Sequence, residues 1–170
     1  MPGAGWVLVL SAAGEQRGVD VIARSLRRYA DRGVFQGFTS RADRRGRLEF
    51  QFTWLTREPV TITYEPKRGA LTFRHLLPGL RDGSPALADV TELIDDRSRR
   101  NVPEHKRVDG RRAQISWFIA RGGLSLTVTV RGRHHEYGVR RGLNLVNDLF
   151  VLLHANYPDY LTEHFGLPAE

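Results

Sequence analysis

The sequence predicts an α+β domain in which helices cover one face of an antiparallel sheet, and three observations carry that expectation. Residues 47–55 and 124–130 each alternate apolar and polar side chains with a period of two, the pattern of strands that are wet on one side. Residues 143–157 instead place Leu145, Val146, Leu149, Phe150, Leu152, Leu153 and Tyr157 at helical spacing, with Asn144, Asp148 and Ala155 opposite. An apolar helix face that wide needs a broad cover, and a half-apolar sheet supplies one. The predicted order is helix, three to four strands, helix, two to three strands and two closing helices, in a single domain over residues 1–170.

At 170 residues, 41 % hydrophobic and 26 % charged, the chain has the size and balance of one ordinary domain, and burial of roughly two-thirds of its unfolded surface is expected. Cysteine is absent, which excludes disulfides, thiolate metal sites, iron–sulfur clusters and cysteine nucleophiles together and fits a reducing compartment. The apolar run WVLVL at residues 6–10 follows no basic residue and falls far short of a signal peptide or a membrane span. A cytoplasmic protein with no membrane partner is therefore expected. The net charge of +7 and pI of about 10.5 suit nucleic acid or another acidic partner. Arginine supplies 24 of the 26 basic side chains, a skew that G+C-rich coding also produces. The excess lies in the first half: residues 1–81 carry 14 basic and 7 acidic side chains, whereas residues 82–170 carry 12 of each.

Along the chain, residues 11–18 are small and polar, and Asp20 is placed to cap a helix that ends near Asp31. Val21, Ile22, Leu26 and Tyr29 face its core side, while Arg24, Arg28 and Arg32, at i, i+4 and i+8, share the other. A solvated helix face accounts for that stripe without a ligand. Gly33 ends the helix, residues 34–40 form a first strand, and residues 41–46 turn. In the next strand Leu48, Phe50, Phe52 and Trp54 point one way and Glu49, Gln51 and Thr53 the other. Pro59 opens a strand in which Val60, Ile62 and Tyr64 alternate with Thr61 and Thr63, and a turn at 66–69 returns the chain into Leu71, Phe73 and His75. His75 is expected to extend that apolar face as a partly buried ring. Ser84 and Pro85 open a helix with Leu87, Val90, Leu93 and Ile94 on its apolar stripe; its acids Asp89, Glu92, Asp95 and Asp96 precede Arg97, Arg99 and Arg100, the order the helix dipole favours. After the Asp109-Gly110 turn a second hairpin is expected, with Ile115, Trp117 and Ile119 facing in from one strand and Leu124, Leu126, Val128 and Val130 from the other. A short strand over 133–139 precedes the closing helix, and a last helix runs from Pro158 to Gly166.

This order of elements, carried by residues 20–31, 47–76, 84–99, 113–130 and 143–157, resembles type III secretion chaperones and YbjN-type proteins. The resemblance lies in the sequence of elements and involves no diagnostic motif. It implies a non-enzymatic binding module, often a homodimer, that holds another protein along exposed sheet or helix surface. The basic charge and the strand before Arg47 depart from the pattern of those chaperones.

The residues themselves point away from catalysis. His134, His135 and Glu136 are the densest group of potential ligands, but on a strand alternate residues diverge, so at most two reach one ion and a solvated strand surface is the simpler reading. His154 and His164, near the bend between the last helices and within reach of Asp159 or Glu163, read as structural. Asp95 and Asp96 are adjacent on a helix and diverge, whereas acid–base catalysis needs carboxylates that converge. No serine lies in a G-x-S-x-G or S-x-x-K pattern, and the glycines at 3–5 and 122–123 lack the lysine and spacing of a phosphate loop. No cofactor and no metal are expected. The expected function is protein binding without catalysis, chaperone-like or adaptor-like and homodimeric, with Leu55, Leu76 and Phe118 interrupting the polar side of the sheet as docking residues. The alternative is nucleic-acid binding, in which Arg41, Arg44, Arg45 and Arg47 around one turn and the stripe of Arg24, Arg28 and Arg32 meet phosphates by charge.

Overall fold

A computed structural model describes residues 4–168, with side chains described from residue 12 onward. The elements are α1 (Ala4–Asp31), β1 (Gln36–Ala42), β2 (Leu48–Thr53), β3 (Pro59–Glu65), β4 (Ala70–Pro78), α2 (Pro85–Asp96), β5 (Ala113–Ala120), β6 (Gly123–Val130), α3 (His135–Asn156) and α4 (Pro158–Phe165). The strands form one antiparallel sheet in the order β1-β2-β3-β4-β6-β5, so β1 and β5 are its edges. The fold is α+β, as the alternation of strand and helix patterns requires.

The two-residue period decides which face is buried. Phe50, Phe52, Ile62, Tyr64, Leu71, Phe73, Leu126 and Val128 point to one side and are at most 1 % exposed. Each such large side chain withdrawn from water contributes about 1.5–3 kcal/mol. Against this face lie Val139, Leu145, Val146, Leu149 and Leu153 of α3, with Ile22 and Leu26 of α1 and Val90 and Ile94 of α2 completing the same core. At the β1 end the core is aromatic: Phe35 stacks on Phe52 with centroids 3.8 Å apart, and Phe38 on Phe50 at 6.0 Å. Those rings belong to the core, as the alternation in β2 implied.

The other face is polar and continuous. Ser116, Thr127, Thr72, Thr63, Glu49 and Arg41 are successive cross-strand partners, forming a row that crosses all six strands. Thr72 and Thr127 join hydroxyls at 3.1 Å, and Arg41 pairs with Glu49 at 2.9 Å. The helix caps follow local chemistry: the Ser84 hydroxyl accepts from the Leu87 N–H, and Gly166, at φ 63°, ends α4 in the left-handed conformation that glycine alone adopts without strain.

Three expectations are corrected. The first helix begins at Ala4 rather than near Asp20, so residues 11–18 are helical. The stretch is small and polar, yet Gly18 has a packing role: a Cβ there would lie 2.6 Å from His135 Nε2 and 3.0 Å from the Tyr64 hydroxyl. The side chains of the 6–10 run lie outside the described residues. Residues 133–139 are not a strand, because α3 starts at His135. Gly138 and Gly142 dilute its helical pattern, and both are needed where they stand: Cβ atoms would come within 2.7 Å of Val130 Cγ2 and 3.0 Å of Val128 Cγ2. The third correction is His75, which is exposed. The register of β4 against β6 shifts between Phe73 and Leu77, and His75 occupies that irregularity at φ 48°. A step of four residues on β4 faces a step of two on β6, so Leu77 returns to the core face opposite Leu124 and only the facing of His75 and Leu76 between them is changed. Leu76, expected on the polar side, is thereby buried at 5 % exposure.

Candidate functional site

The two edges of the sheet differ in a way that bears on binding. An edge strand presents unpaired N–H and C=O groups, and proteins that stay monomeric blunt such edges with bulges, charges or proline. β1 is blunted: its pairing with β2 is interrupted between Gln36 and Thr39, Gly37 takes φ 62°, and Arg41 stands on the strand. β5, eight residues of sequence AQISWFIA, carries no charge, proline or glycine and pairs in unbroken register from Ala113 to Ala120 with β6 alone. Phe118 and Ile119 are 46 % and 38 % exposed. Trp117 is held on the inner side, its Nε1–H donating to Asp95 of α2 at 3.1 Å. Exposed arginines stand at both ends, Arg111 and Arg112 before the strand and Arg121 after it. Arg121 takes φ 54° and Gly122 φ 75°, the mirror-type two-residue turn that matches strand twist.

Of the three expected docking residues, only Phe118 belongs to this edge. Leu55 is half-buried at φ 68° beyond the end of β2, and Leu76 is in the core. The three do not form one surface.

The arginines expected to meet phosphate are mostly engaged. Arg28 pairs with Glu136 at 3.1 Å, Arg41 with Glu49 at 2.9 Å and Arg47 with Asp43 at 2.7 Å. Arg32 lies 4.8 Å over the Tyr29 ring and donates from Nε to the Arg28 carbonyl. Arg24, Arg44 and Arg45 are exposed and have no carboxylate partner among the described residues. Arg28, Arg32 and Arg140 share a hollow between α1 and α3, with Glu136 and Asp31 among them.

A denser basic site was missed. Arg100, Arg107, Arg111, Arg112 and Arg141 line a hollow of about 340 Å³ beside Tyr137, with Glu104 and Asp109 as its carboxylates. Arg112 and Arg141 stack on the Tyr137 ring at 5.2 and 4.8 Å, while its hydroxyl accepts from the Asp109 N–H and donates to the Arg107 carbonyl. No periodicity marks these residues, since four come from the irregular segment after α2 and only packing against α3 adds Arg141.

The histidine cluster also lands differently from its expected place on a strand. His134 stands at the start of α3, Glu136 is shared by Arg28 and Arg140, and His135 sits under Gly18 with its ring edge-on to Tyr64. Burial pushes the His135 imidazole below its ordinary range, opposed by a hydrogen bond with the Arg133 backbone and aided by the charge of His134. Burial, with the charge of Glu15, pushes the Tyr64 hydroxyl up to about 12. His154 is exposed, and neither it nor His164 pairs with Asp159 or Glu163 among the described residues. Within those residues no group of three potential metal ligands converges, and no helix is long and apolar enough to cross a membrane.

Comparison of the chain with protein-family models, curated proteins and solved structures finds no match.

Proposed function

We propose that this protein binds another protein without catalysis, as an adaptor or chaperone, by accepting an extended segment of its partner as a seventh strand beside β5. The observation that carries the reading is the contrast between the edges: β1 is interrupted and charged, whereas β5 is regular, uncharged and itself carries exposed Phe118 and Ile119. Strand addition of this kind draws affinity from main-chain hydrogen bonds and selectivity from alternate side chains. Arg111, Arg112 and Arg121 flank the strand, so the favoured segment is apolar in its middle and acidic at its ends. A second copy of the chain pairing β5 antiparallel to β5 sets Arg112 near the partner copy's Arg121, a like-charge contact that disfavours that occupant.

The test is fluorescence anisotropy with a labelled peptide of alternating valine and threonine between paired glutamates, against the same peptide flanked by lysines. Saturable binding of the acidic peptide, about tenfold or more tighter than the basic one and abolished by Ile119→Lys, supports the reading. Equal binding of both peptides, binding of neither, or a concentration-dependent dimer blocked by Ile119→Lys contradicts it.

A second reading, contact with nucleic-acid phosphates by charge, is favoured by the five arginines around Tyr137. It calls for affinity that falls steeply with salt and shows no preference among sequences.

A further inference from the structure

The irregularity in β4 builds a second site, unrelated to the β5 edge. His75 is held at φ 48° with its N–H donating to the buried Ser125 hydroxyl at 2.9 Å. Leu55, at φ 68°, immediately precedes Thr56 on the rim of the same cleft. A non-glycine residue in the left-handed region costs energy and persists only where its surroundings hold it there. Of the three such residues among those described, His75 lines the cleft, Leu55 adjoins the lining residue Thr56, and Arg121 serves a hairpin turn.

Both histidines of the cleft are seated on glycines. A Cβ on Gly123 would fall 2.6 Å from the His75 ring, and one on Gly79 would fall 2.2 Å from the ring of His164. Two further bonds fix this arrangement: the Tyr160 hydroxyl donates to the Pro78 carbonyl at 2.6 Å, and the Gly79 N–H donates to the Gly122 carbonyl at 2.7 Å. The cleft measures about 320 Å³, at the lower end of small-molecule sites. Its apolar wall includes Val60, Leu76, Phe150 and Phe165. Its polar wall carries Arg74, whose guanidinium has no hydrogen-bond or ion-pair partner among the described residues, together with His75, His164 and Glu58.

We infer that this cleft binds a small organic carboxylate with a compact aromatic or aliphatic body. Arg74 offers a planar two-donor fork that matches a carboxylate, and each imidazole can donate one further hydrogen bond. One arginine beside one carboxylate, Glu58, suits a monoanion better than an oligophosphate. The apolar wall takes the body of the ligand. Sequence reading expected His75 as a partly buried ring on the apolar face; the bulge places it exposed on the cleft, beside His164.

The test is an NMR titration of the full chain with 3-phenylpropanoate and with its uncharged amide. The expected result is saturable shifts at His75, Leu76 and Phe165 with the acid, and binding about tenfold weaker with the amide or in Arg74→Ala, the effect of losing one charge-assisted hydrogen bond. The companion variant is His75→Gly, which removes the imidazole and relieves the left-handed backbone, so its melting temperature is expected to equal or exceed that of the parent while binding falls. Absence of saturable shifts at these residues, equal affinity for the amide, or undiminished binding in both variants would overturn the inference.

Discussion

Replacing Asp148 by asparagine tests how the irregular segment after α2 is held to the sheet-covering helix. Arg97, the C-cap of α2, is buried, with its side chain only 5 % exposed, and its Nη2 donates to Asp148 Oδ2 of α3 at 2.6 Å. Lys106 approaches the same oxygen at 3.2 Å. Arg97 Nε has no partner among the described residues, so Asp148 carries the compensation of that buried cation. Breaking a buried pair by removing one member costs about 3–5 kcal/mol, because the remaining charge stays desolvated. The Asp148 side chain is 21 % exposed and water replaces part of what is lost, which places Asp148→Asn at the lower end, about 3 kcal/mol. In urea this moves the midpoint down by about 1–2 M, and in a thermal scan it lowers Tm by about 6–12 °C. The pH dependence follows from the direction of the shift. Burial alone raises the Asp148 carboxyl, but hydrogen bonds and charges from Arg97 and Lys106 outweigh it and hold the group below the ordinary carboxylate range. A depressed folded-state value gives stability that is present above the unfolded value and lost as pH falls through the folded one. The gap between parent and variant is therefore expected to be constant from about pH 5 to 8 and to close below about pH 4. A variant within 1 kcal/mol of the parent at pH 7, or a gap that persists undiminished at about pH 2, refutes the reasoning.

Gly138→Ala improves intrinsic helix propensity by about 1 kcal/mol at an exposed site, yet here its Cβ meets Val130 Cγ2 at 2.7 Å, so a net loss of about 1–3 kcal/mol in chemical denaturation is expected and a gain contradicts the close approach of α3. Phe118→Lys, on the exposed polar side of β5, is expected to change stability by less than about 0.5 kcal/mol, and a collapse of Tm shows that this ring belongs to the core. Arg107 and Arg141 are half-buried and donate to backbone carbonyls, so if the exposed Arg100, Arg111 and Arg112 contact duplex phosphates, three contacts give a slope of log K against log salt of about −3, reduced by about two in Arg100→Ala/Arg111→Ala; no binding at low salt removes that reading.

Much of the sheet was legible because facing follows a strict period of two. Phe50 and Phe52 in β2, Ile62 and Tyr64 in β3, and Leu126 and Val128 in β6 all lie on the side their alternation indicates. Local chemistry located the start of α2 at Ser84 and the end of α4 at Gly166. What failed depended on packing between distant segments. Residues 11–18 read as small and polar and residues 133–139 as a strand, whereas both stretches are helical, with Gly18, Gly138 and Gly142 at points where another residue comes too close for a Cβ. The bulge at His75 leaves no mark in a sequence that continues to look like a strand, and it displaces His75 and Leu76 to opposite environments. The arginine site around Tyr137 escaped for the same reason, as did the pairing of Arg97 with Asp148: in each, residues far apart along the chain meet only in the folded protein.

The open edge at β5 is tested most directly by amide hydrogen exchange of the full chain, alone and with the glutamate-flanked valine–threonine peptide. New protection at alternate residues of β5, the signature of one added ladder, with β1 unchanged, is the expected result. Unaltered exchange along β5 at saturating peptide, or protection that appears on β1 instead, contradicts the account.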